Sequence, residues 1–280
     1  MIASKRRWLA RMAGLAVAGL LAAGSAQAQL KSADNPEANP VWQKLRAALF
    51  ADRPIKAGAD EVVQLDAPTR AEDAAVVPIA VRTRLPPSAT RRVDKLYLII
   101  DNNPTPLAAV FQFTPQSGQA DIETRVRVDE YTHVRAIAET NDGQLYMTTR
   151  FVKASGGCSA PPGKDAQAAL ASLGKMRLRV DGDVTRNKPV LAQLMISHPN
   201  NSGLAMDQST RQYTPAHFVR KLDISYAGKP VLSAELDFAI SENPNFRFWF
   251  VPTGEGELKA EVVDSKDLRF ESALTLRPSN

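Results

Sequence analysis

The sequence is poor in the residues from which most catalytic centres are built. Its 280 residues include one cysteine, Cys158, and three histidines, His133, His198 and His217. Metal sites made of histidine and cysteine lack ligands here, and each histidine is expected to have a structural or surface role. Walker loops, nucleophile elbows and dinucleotide fingerprints are also missing from the sequence. These absences predict a protein that is not an enzyme and has no catalytic residues, metal or cofactor.

The chain has no apolar run long enough to cross a membrane. Its apolar stretch 12–23 follows four basic residues within the first 11 positions and precedes the sequence AQA at 26–28. This arrangement predicts a secretory signal peptide over residues 1–28, cleaved after Ala28, and a periplasmic protein without a membrane anchor. Arg6 and Arg7 also fit a twin-arginine signal, so the Sec and twin-arginine export routes both stay open.

The mature chain has no large excess of positive or negative charge. Removing the four basic residues of the signal from 35 leaves 31, against 30 acidic residues. This balance argues against nucleic-acid binding, which needs a clustered basic face. Acidic pairs such as Asp129 and Glu130 are expected to lie on the solvated surface. An exported chain with one cysteine cannot form an internal disulfide, so the thiol is expected to be reactive or to pair with another molecule.

The rest of the pattern is that of β-strands. One short helix is predicted to begin at Pro40 and to end before Pro54. Runs of β-branched, aromatic and alternating residues are separated by clusters of turn residues. The first series covers 61–65, 76–85, 93–101, 107–114, 122–128, 134–138 and 145–153; the second covers 176–180, 190–197, 218–226, 231–237, 246–251, 257–263 and 268–276. This spacing predicts an all-β protein with two immunoglobulin-like antiparallel sandwiches, at 38–158 and 175–280, joined by a flexible linker at 159–174.

Cys158 lies in the sequence SGGCSAPPG at 155–163, after the last strand of the first series. Gly156 and Gly157 leave the backbone free, and the prolines that follow cannot continue a helix or a central strand. This context predicts an exposed thiol on a flexible arm. The alternative is a buried cysteine that acts as a small hydrophobic residue.

Motifs in both halves resemble the SoxY and SoxZ proteins of the periplasmic Sox sulfur-oxidation system. Residues 38–158 resemble SoxY in IDNNPTPLAA at 100–109, VRV at 126–128, VRA at 134–136 and GGC at 156–158. Residues 175–276 resemble SoxZ in ISHP at 196–199, PAHF at 215–218, YAGKPVL at 226–232 and SENPNFRF at 241–248. The chain is thus similar to fused SoxYZ carriers associated with quinoprotein dehydrogenases.

The resemblance implies a role for the thiol. Cys158 would be the covalent attachment point for a sulfur intermediate, as an S-thiosulfonate or a persulfide, and Gly156 and Gly157 would form its carrier arm. The implied partners are periplasmic sulfur-oxidising enzymes, or a quinoprotein dehydrogenase and cytochrome c, and the two halves are expected to pack together. The family's cysteine lies in GGCGG at a free C-terminus, whereas here Ser159 and a second domain follow.

Two other functions stay open at this point. The chain could be an accessory or interaction module of a periplasmic quinoprotein (alcohol) dehydrogenase or cytochrome system, in which Cys158 is not a sulfur carrier. A thiol redox enzyme is disfavoured because the chain has no second cysteine to resolve a mixed disulfide.

Overall fold

The computed structural model describes residues 35–85, 90–161, 171–207 and 210–280. The predicted signal peptide and positions 162–170 of the predicted linker lie outside these ranges. No helix in the described ranges is both long enough and apolar enough to cross a membrane. By its internal contacts the chain divides into Met1–Ala51 and Asp52–Asn280.

Helix α1 (Pro40–Phe50) confirms the predicted helix. Asn39 caps its first turn, because the Asn39 side chain accepts a hydrogen bond of 2.8 Å from the backbone N–H of Val41. Pro40 occupies the first helical position, where a missing N–H costs nothing. Two short 3₁₀ turns lie at Pro36–Ala38 and Pro115–Ser117.

The described residues form 15 strands. In the first half of the chain these are β1 (Ile55–Ala57), β2 (Val63–Asp66), β3 (Val77–Thr83), β4 (Val93–Ile100), β5 (Leu107–Phe113), β6 (Ile122–Val126), β7 (Thr132–Thr140) and β8 (Leu145–Val152). In the second half they are β9 (Met176–Asp181), β10 (Val190–Ile196), β11 (Val219–Tyr226), β12 (Lys229–Leu236), β13 (Asn245–Phe250), β14 (Gly256–Asp264) and β15 (Arg269–Leu276). The sequence pattern predicts all of them except β1, whose three residues are too few to show an alternation.

The strands of Asp52–Asn280 form two sheets, which confirms the all-β class. One sheet has nine strands in the order β1-β8-β7-β4-β5-β12-β11-β14-β15, and the other has six in the order β2-β3-β6-β13-β10-β9. The short strand β1 runs parallel to β8, and the remaining neighbours are antiparallel. Hence both sheets contain strands from both halves.

The two predicted sandwiches are joined at their edges. In the nine-stranded sheet, β5 pairs with β12, and in the six-stranded sheet, β6 pairs with β13. An edge strand exposes unpaired backbone N–H and C=O groups, and pairing one half with the other satisfies them. The expectation that the halves pack on each other is therefore confirmed, and the packing includes continuous strand pairing.

The hydrophobic core between the sheets is also continuous. Along β6 the side chains of Ile122, Thr124 and Val126 are buried, and the alternate residues are half-buried. Phe111 of the first half meets Phe246 of the second edge to face, with ring centroids 6.2 Å apart. One core thus supports both halves and fixes the segments that surround Cys158.

Candidate functional site

Cys158 is buried in this structure. Its relative exposure is 1%, so the prediction of an exposed thiol on a free arm is wrong for the conformation described here. Cys158 belongs to the segment 155–161, here called the thiol loop, which follows β8. The reason for the burial is a set of hydrogen bonds from both halves of the protein.

The first half of the protein holds the backbone of the thiol loop. The N–H of Gly156 donates to the carbonyl oxygen of Asp129 at 2.8 Å, and the N–H of Gly157 donates to that of Val128 at 3.0 Å. The N–H of Cys158 donates to the Asp129 carboxylate at 3.2 Å. Three consecutive N–H groups of the loop are therefore satisfied by residues 128–129, which extend the chain beyond β6.

The two glycines allow this docking and are not free joints in the docked state. Gly156 has a φ of 79°, in the region that favours glycine. A Cβ added to Gly157 would lie 2.1 Å from the carbonyl oxygen of Ala74 and 2.7 Å from that of Val128. Only glycine can pass this close to two backbone carbonyls, so the sequence GGC is needed for burial of the thiol.

The second half of the protein contributes a further hydrogen bond. The Ser202 hydroxyl donates to the carbonyl oxygen of Cys158, and Ser202 is itself buried. The backbone N–H of Leu204 donates to the same hydroxyl at 3.1 Å. Cys158 is therefore held between the two halves, with Asp129 on one side and Ser202 on the other.

The surroundings of Cys158 suppress its ionisation. Burial raises the pKa of Cys158 to about 12, Asp129 and Asp237 act in the same direction, and Arg127 opposes them. The thiolate is the nucleophilic form of cysteine. The docked thiol is therefore held in its protonated form at neutral pH, which makes it a poor nucleophile.

Arg127 links the two halves beneath the thiol loop. Arg127 is 6% exposed, and its Nη1 donates to the carbonyl oxygens of Phe238 at 3.1 Å and Ile240 at 2.9 Å. Burial lowers the pKa of Arg127, and the nearby groups of Cys158, Glu242 and Asp73 counteract this shift. Arginine stays charged at such a site because its ordinary pKa is so high.

The motif at 101–104 braces the segment that holds the thiol loop. The Asn103 side chain donates to the carbonyl oxygen of Arg127 at 2.8 Å and accepts from the N–H of Asp129 at 2.9 Å. Beside it, Asp101 and Arg135 form a bidentate ion pair with both N–O distances 2.7 Å and no exposure of either side chain. This motif therefore has a structural role in positioning the Cys158 site.

In the second half, a buried cluster of His198, His217 and Asp264 lies beneath the segment that carries Ser202. The Nε2 of His217 lies 2.7 Å from Asp264 Oδ2, and the Nε2 of His198 lies 3.5 Å from the same oxygen. The Nδ1 of His198 accepts a hydrogen bond of 3.0 Å from the N–H of Asn200. The proton of neutral His198 is therefore on Nε2, where it faces Asp264.

This hydrogen bonding determines whether the cluster can bind a metal ion. The three side chains bring one potential metal-ligand atom each within 4.8 Å of one another. However, a protonated Nε2 has no lone pair for a metal, and Asn200 fixes that tautomer of His198. The arrangement agrees with the structural role predicted for His198 and His217. The local sequence does not indicate that Asp264 joins them, because Asp264 is 47 positions from His217.

The charges in the cluster follow from its burial. Burial lowers the pKa of His198 to about 4, and His217 acts in the same direction against the opposing effect of Asp264. Burial disfavours ionisation of Asp264, but hydrogen bonds from His217 and from the N–H groups of Leu268 and Lys266 hold its pKa below the ordinary value. A neutral His198 beside an ionised Asp264 is thus the stable state near neutral pH.

Asn200 connects this cluster to the thiol loop. Its side chain donates to the carbonyl oxygen of Ile240 at 3.0 Å and accepts from the N–H of Val219 at 3.0 Å. Its backbone N–H is bound to His198, and Ser202 follows two residues later. The cluster therefore fixes the position from which Ser202 reaches Cys158.

Two family models match the chain in tandem. The model described as sulfur oxidation protein SoxY matches residues 46–158, and the model described as sulphur oxidation protein SoxZ matches residues 178–275. The chain is a fused SoxY–SoxZ protein. The SoxY match ends at Cys158, so the residues Gly156, Gly157 and Cys158 are the last three of the SoxY half.

Several solved structures resemble parts of this SoxY–SoxZ chain. The sulfur carrier protein SoxY from Chlorobium limicola f thiosulfatophilum is 26% identical with a TM-score of 0.34, and the match covers 40% of this chain and 94% of that chain. A superoxide reductase (neelaredoxin) from Ignicoccus hospitalis is 13% identical with a TM-score of 0.28, and the match covers 41% of this chain and 89% of that chain. A search of curated protein sequences finds no match.

The SoxY and SoxZ halves together build the surroundings of the thiol. The predicted site residues Gly156, Gly157 and Cys158 lie together in the docked loop. The residues that hold them, Asp129 and Ser202, were not predicted as site residues. Asp129 was expected on the solvated surface, and its proximity to Asn103 in the fold could not be read from the local sequence. The signal for Ser202 was its position three residues after the ISHP motif, which marks the segment that Asn200 and His198 hold in place.

Proposed function

We propose that this SoxY–SoxZ protein is a periplasmic carrier in which Cys158 holds a sulfur intermediate covalently and presents it to partner enzymes. The observation that carries this proposal is the SoxY match, which ends at the single cysteine of the chain. The chain belongs to the sulfur-oxidation carrier family, and Cys158 is its one thiol available for covalent attachment. The predicted signal peptide supports a periplasmic location.

The loading reaction needs an electron acceptor in the partner enzyme. If thiosulfate is the cargo, the Cys158 sulfur forms a bond to the terminal sulfur of S₂O₃²⁻ and gives Cys–S–S–SO₃⁻. The thiol loses one proton in this step, and two electrons pass to an oxidising partner such as a cytochrome. Attack by sulfur requires the thiolate, and the docked thiol is protonated. Loading therefore requires that the thiol loop leaves its docked position.

Opening of the thiol loop is energetically accessible. Four hydrogen bonds hold the loop at residues 156–158, and each contributes about 1 kcal/mol net. An opening cost of a few kcal/mol leaves a minor open population, which a partner that binds the open form can select. Docking thus limits reactivity in the free protein without preventing the carrier function.

The chain connections limit how far the thiol can travel. On its N-terminal side the N–H of Lys153 is bonded to the carbonyl oxygen of Thr69 at 2.9 Å, so five residues connect a fixed strand to Cys158. Extended chain spans about 3.4 Å per residue, so the thiol can move roughly 17 Å from that point. Because the chain continues on the other side of Cys158, a partner's cleft must also admit two backbone segments.

A second candidate function is supported by the burial of Cys158. A thiol with 1% exposure and a pKa raised to about 12 fits a protein that docks to a quinoprotein dehydrogenase or cytochrome without using the thiol. In that accessory module, the contacts of Cys158 would stabilise the junction of the two halves. The two functions differ in whether Cys158 ever carries an adduct.

The deciding experiment is the intact mass of the mature protein purified from its native periplasm, before and after reduction. The carrier function predicts a reducible mass increase that matches added sulfur or a thiosulfonate. The variant Cys158→Ser should lack this adduct and should lose the carrier activity in the cell. A wild-type protein that shows only a bare thiol under all growth conditions would reject the carrier function and favour the accessory module.

A further inference from the structure

Exposed apolar side chains are concentrated in the segments that hold the thiol loop. In the part of the chain that the structure describes, six large apolar side chains are exposed: Val41, Tyr131, Leu204, Met206, Tyr213 and Leu268. Four of them, which we call the apolar patch, are Tyr131, Leu204, Met206 and Tyr213. Single exposed apolar residues are normal on a protein surface, but a cluster of them beside one site marks an interaction surface.

The SoxZ part of the apolar patch begins beside the hydroxyl that holds Cys158. The N–H of Leu204 donates to Ser202 Oγ at 3.1 Å, and that hydroxyl donates to the Cys158 carbonyl. Met206 forms an isolated antiparallel bridge with Tyr213. These contacts place Leu204, Met206 and Tyr213 on one short paired segment. At its start, Leu204 is connected to Cys158 through two successive hydrogen bonds that share the Ser202 hydroxyl.

The SoxY part of the apolar patch follows the other segment that holds the loop. Tyr131 is 51% exposed and lies two residues after Asp129, which binds the N–H of Cys158. The side chain of Asn102 donates to the carbonyl oxygen of Tyr131 at 3.1 Å, so the backbone at Tyr131 is fixed. Both halves therefore present apolar side chains next to the docked thiol.

The charges around the apolar patch are mainly negative. Asp129 and Glu130 precede Tyr131 in the chain, and the exposed Asp207 directly follows Met206. Arg127 does not offset these carboxylates at the surface, because it is 6% exposed and bonded to backbone carbonyls. Arg211 is an exposed base between Met206 and Tyr213. A surface of this kind is complementary to a partner with an apolar cleft bordered by lysine and arginine.

We propose that the apolar patch is the docking surface for the partner protein that loads Cys158, and that this partner has a basic rim around an apolar cleft. This inference rests on the proposed carrier function. Tyrosine and methionine suit the role, since tyrosine is frequent among the residues that dominate binding energy and methionine adapts to different surfaces. A partner bound at Leu204 lies next to Ser202, so binding and release of the thiol loop occur at neighbouring positions.

The first test compares adduct formation in patch and control variants. Tyr213→Ser and Met206→Ser are exposed-site changes that should leave the fold intact, and Leu268→Ser is the matched control, because Leu268 is 43% exposed in the turn before β15. In protein purified from the native periplasm, the double variant Met206→Ser/Tyr213→Ser should show at least about a tenfold lower fraction of Cys158 adduct, as expected for loss of hot-spot residues. Leu268→Ser should match the wild type.

The rate of Cys158 alkylation in the purified protein distinguishes a loss of partner binding from a change in the opening of the thiol loop. The rate of Cys158 alkylation by iodoacetamide should be the same in the double variant and in the wild type, since no patch side chain bonds to the thiol loop. Equal adduct fractions in the double variant and the wild type would overturn the docking proposal. A large change in alkylation rate would also overturn it, because the variant would then act through the loop.

A second measurement tests the surface even if Cys158 carries no adduct. A photo-reactive phenylalanine analogue is placed at position 213, or at position 268 as the control, in the cell. Position 213 should cross-link to one periplasmic protein, and the Glu130→Lys change should reduce the yield. That protein, once purified in its oxidised form, should accelerate adduct formation on Cys158 with thiosulfate, because it takes up the two electrons that the new S–S bond releases. If the wild type carried no adduct but this cross-link formed, the carrier function would be rejected and the apolar patch would remain a protein-binding surface. Cross-links to a second copy of this chain, or equal yields at 213 and 268, would reject the docking surface.

Discussion

The SoxY and SoxZ halves hold the same loop in different ways. The SoxY half binds two N–H groups of the loop with backbone carbonyls at 128–129 and a third with the Asp129 carboxylate. The SoxZ half uses one hydroxyl, that of Ser202. Backbone contacts depend on the close approach that Gly157 allows, so they form or break together. The Ser202 contact can be lost by itself, so the SoxZ half holds the thiol loop more weakly than the SoxY half.

The two halves also use different side-chain interactions to stabilise the segments that hold the thiol loop. The SoxY half uses a fully buried ion pair, Asp101 with Arg135, in which two opposite charges are desolvated. The SoxZ half uses one buried carboxylate, Asp264, with His198 kept neutral by its environment. Removing one partner of a buried ion pair leaves an uncompensated charge, so the SoxY brace should be more sensitive to substitution.

The largest effect is expected from Asp101→Ala. This change leaves the buried Arg135 guanidinium without its carboxylate, and such a loss costs about 3 to 5 kcal/mol in the free energy of unfolding. Urea denaturation at neutral pH measures the difference from the wild type. Glu255→Ala is the control, because its ion pair with Arg277 is exposed, at 63% and 81%, and is expected to contribute less than about 1 kcal/mol. A loss below 1 kcal/mol for Asp101→Ala would contradict the assignment of this pair as the brace of the SoxY half.

The next largest effect is expected from Gly157→Ala. An added methyl group would lie 2.1 Å from the Ala74 carbonyl oxygen, so the loop has to leave its docked position. Overpacking of this kind costs about 1 to 3 kcal/mol, which corresponds to an increase of up to about a hundredfold in the rate of Cys158 alkylation. Gly254→Ala is the matched control, since no atom lies within 4 Å of its added Cβ and its φ is not in the left-handed region. Unchanged alkylation in Gly157→Ala would show that the loop is already open in solution.

Much of the fold could be predicted from the sequence because the signals are local. Alternating apolar residues mark 14 of the 15 strands, and Asn39 with Pro40 marks the start of α1. The strand pairing between halves is not local, because the residues that it brings together, such as Glu123 and Arg247, are 124 positions apart. Alternation indicates which face of a strand is buried but does not identify its neighbour.

The burial of Cys158 could not be predicted for the same reason. Gly156 and Gly157 were interpreted as flexible joints, whereas Gly157 permits close packing against Ala74 and Val128 and Gly156 adopts a positive φ of 79°. The residues that bury the thiol are distant in sequence: Asp129 is 29 positions before Cys158 and Ser202 is 44 positions after it. Glycine permits both flexibility and close approach, and only the three-dimensional surroundings decide between them.

The smallest effect is expected from Ser202→Ala, which tests the single contact of the SoxZ half with the thiol loop. The substitution removes one hydroxyl donor and leaves the hydrogen bonds from the SoxY half in place. Loss of one hydrogen bond of about 1 kcal/mol should increase the rate of Cys158 alkylation about fivefold and lower the free energy of unfolding by no more than about 1 kcal/mol. Ser279→Ala is the control, because its hydroxyl also donates to a backbone carbonyl, that of Val184 at 3.3 Å, at an exposed site. If Ser202→Ala increased alkylation as much as Gly157→Ala, the SoxZ hydroxyl would be the main contact of the dock and the two halves would have the opposite ranking.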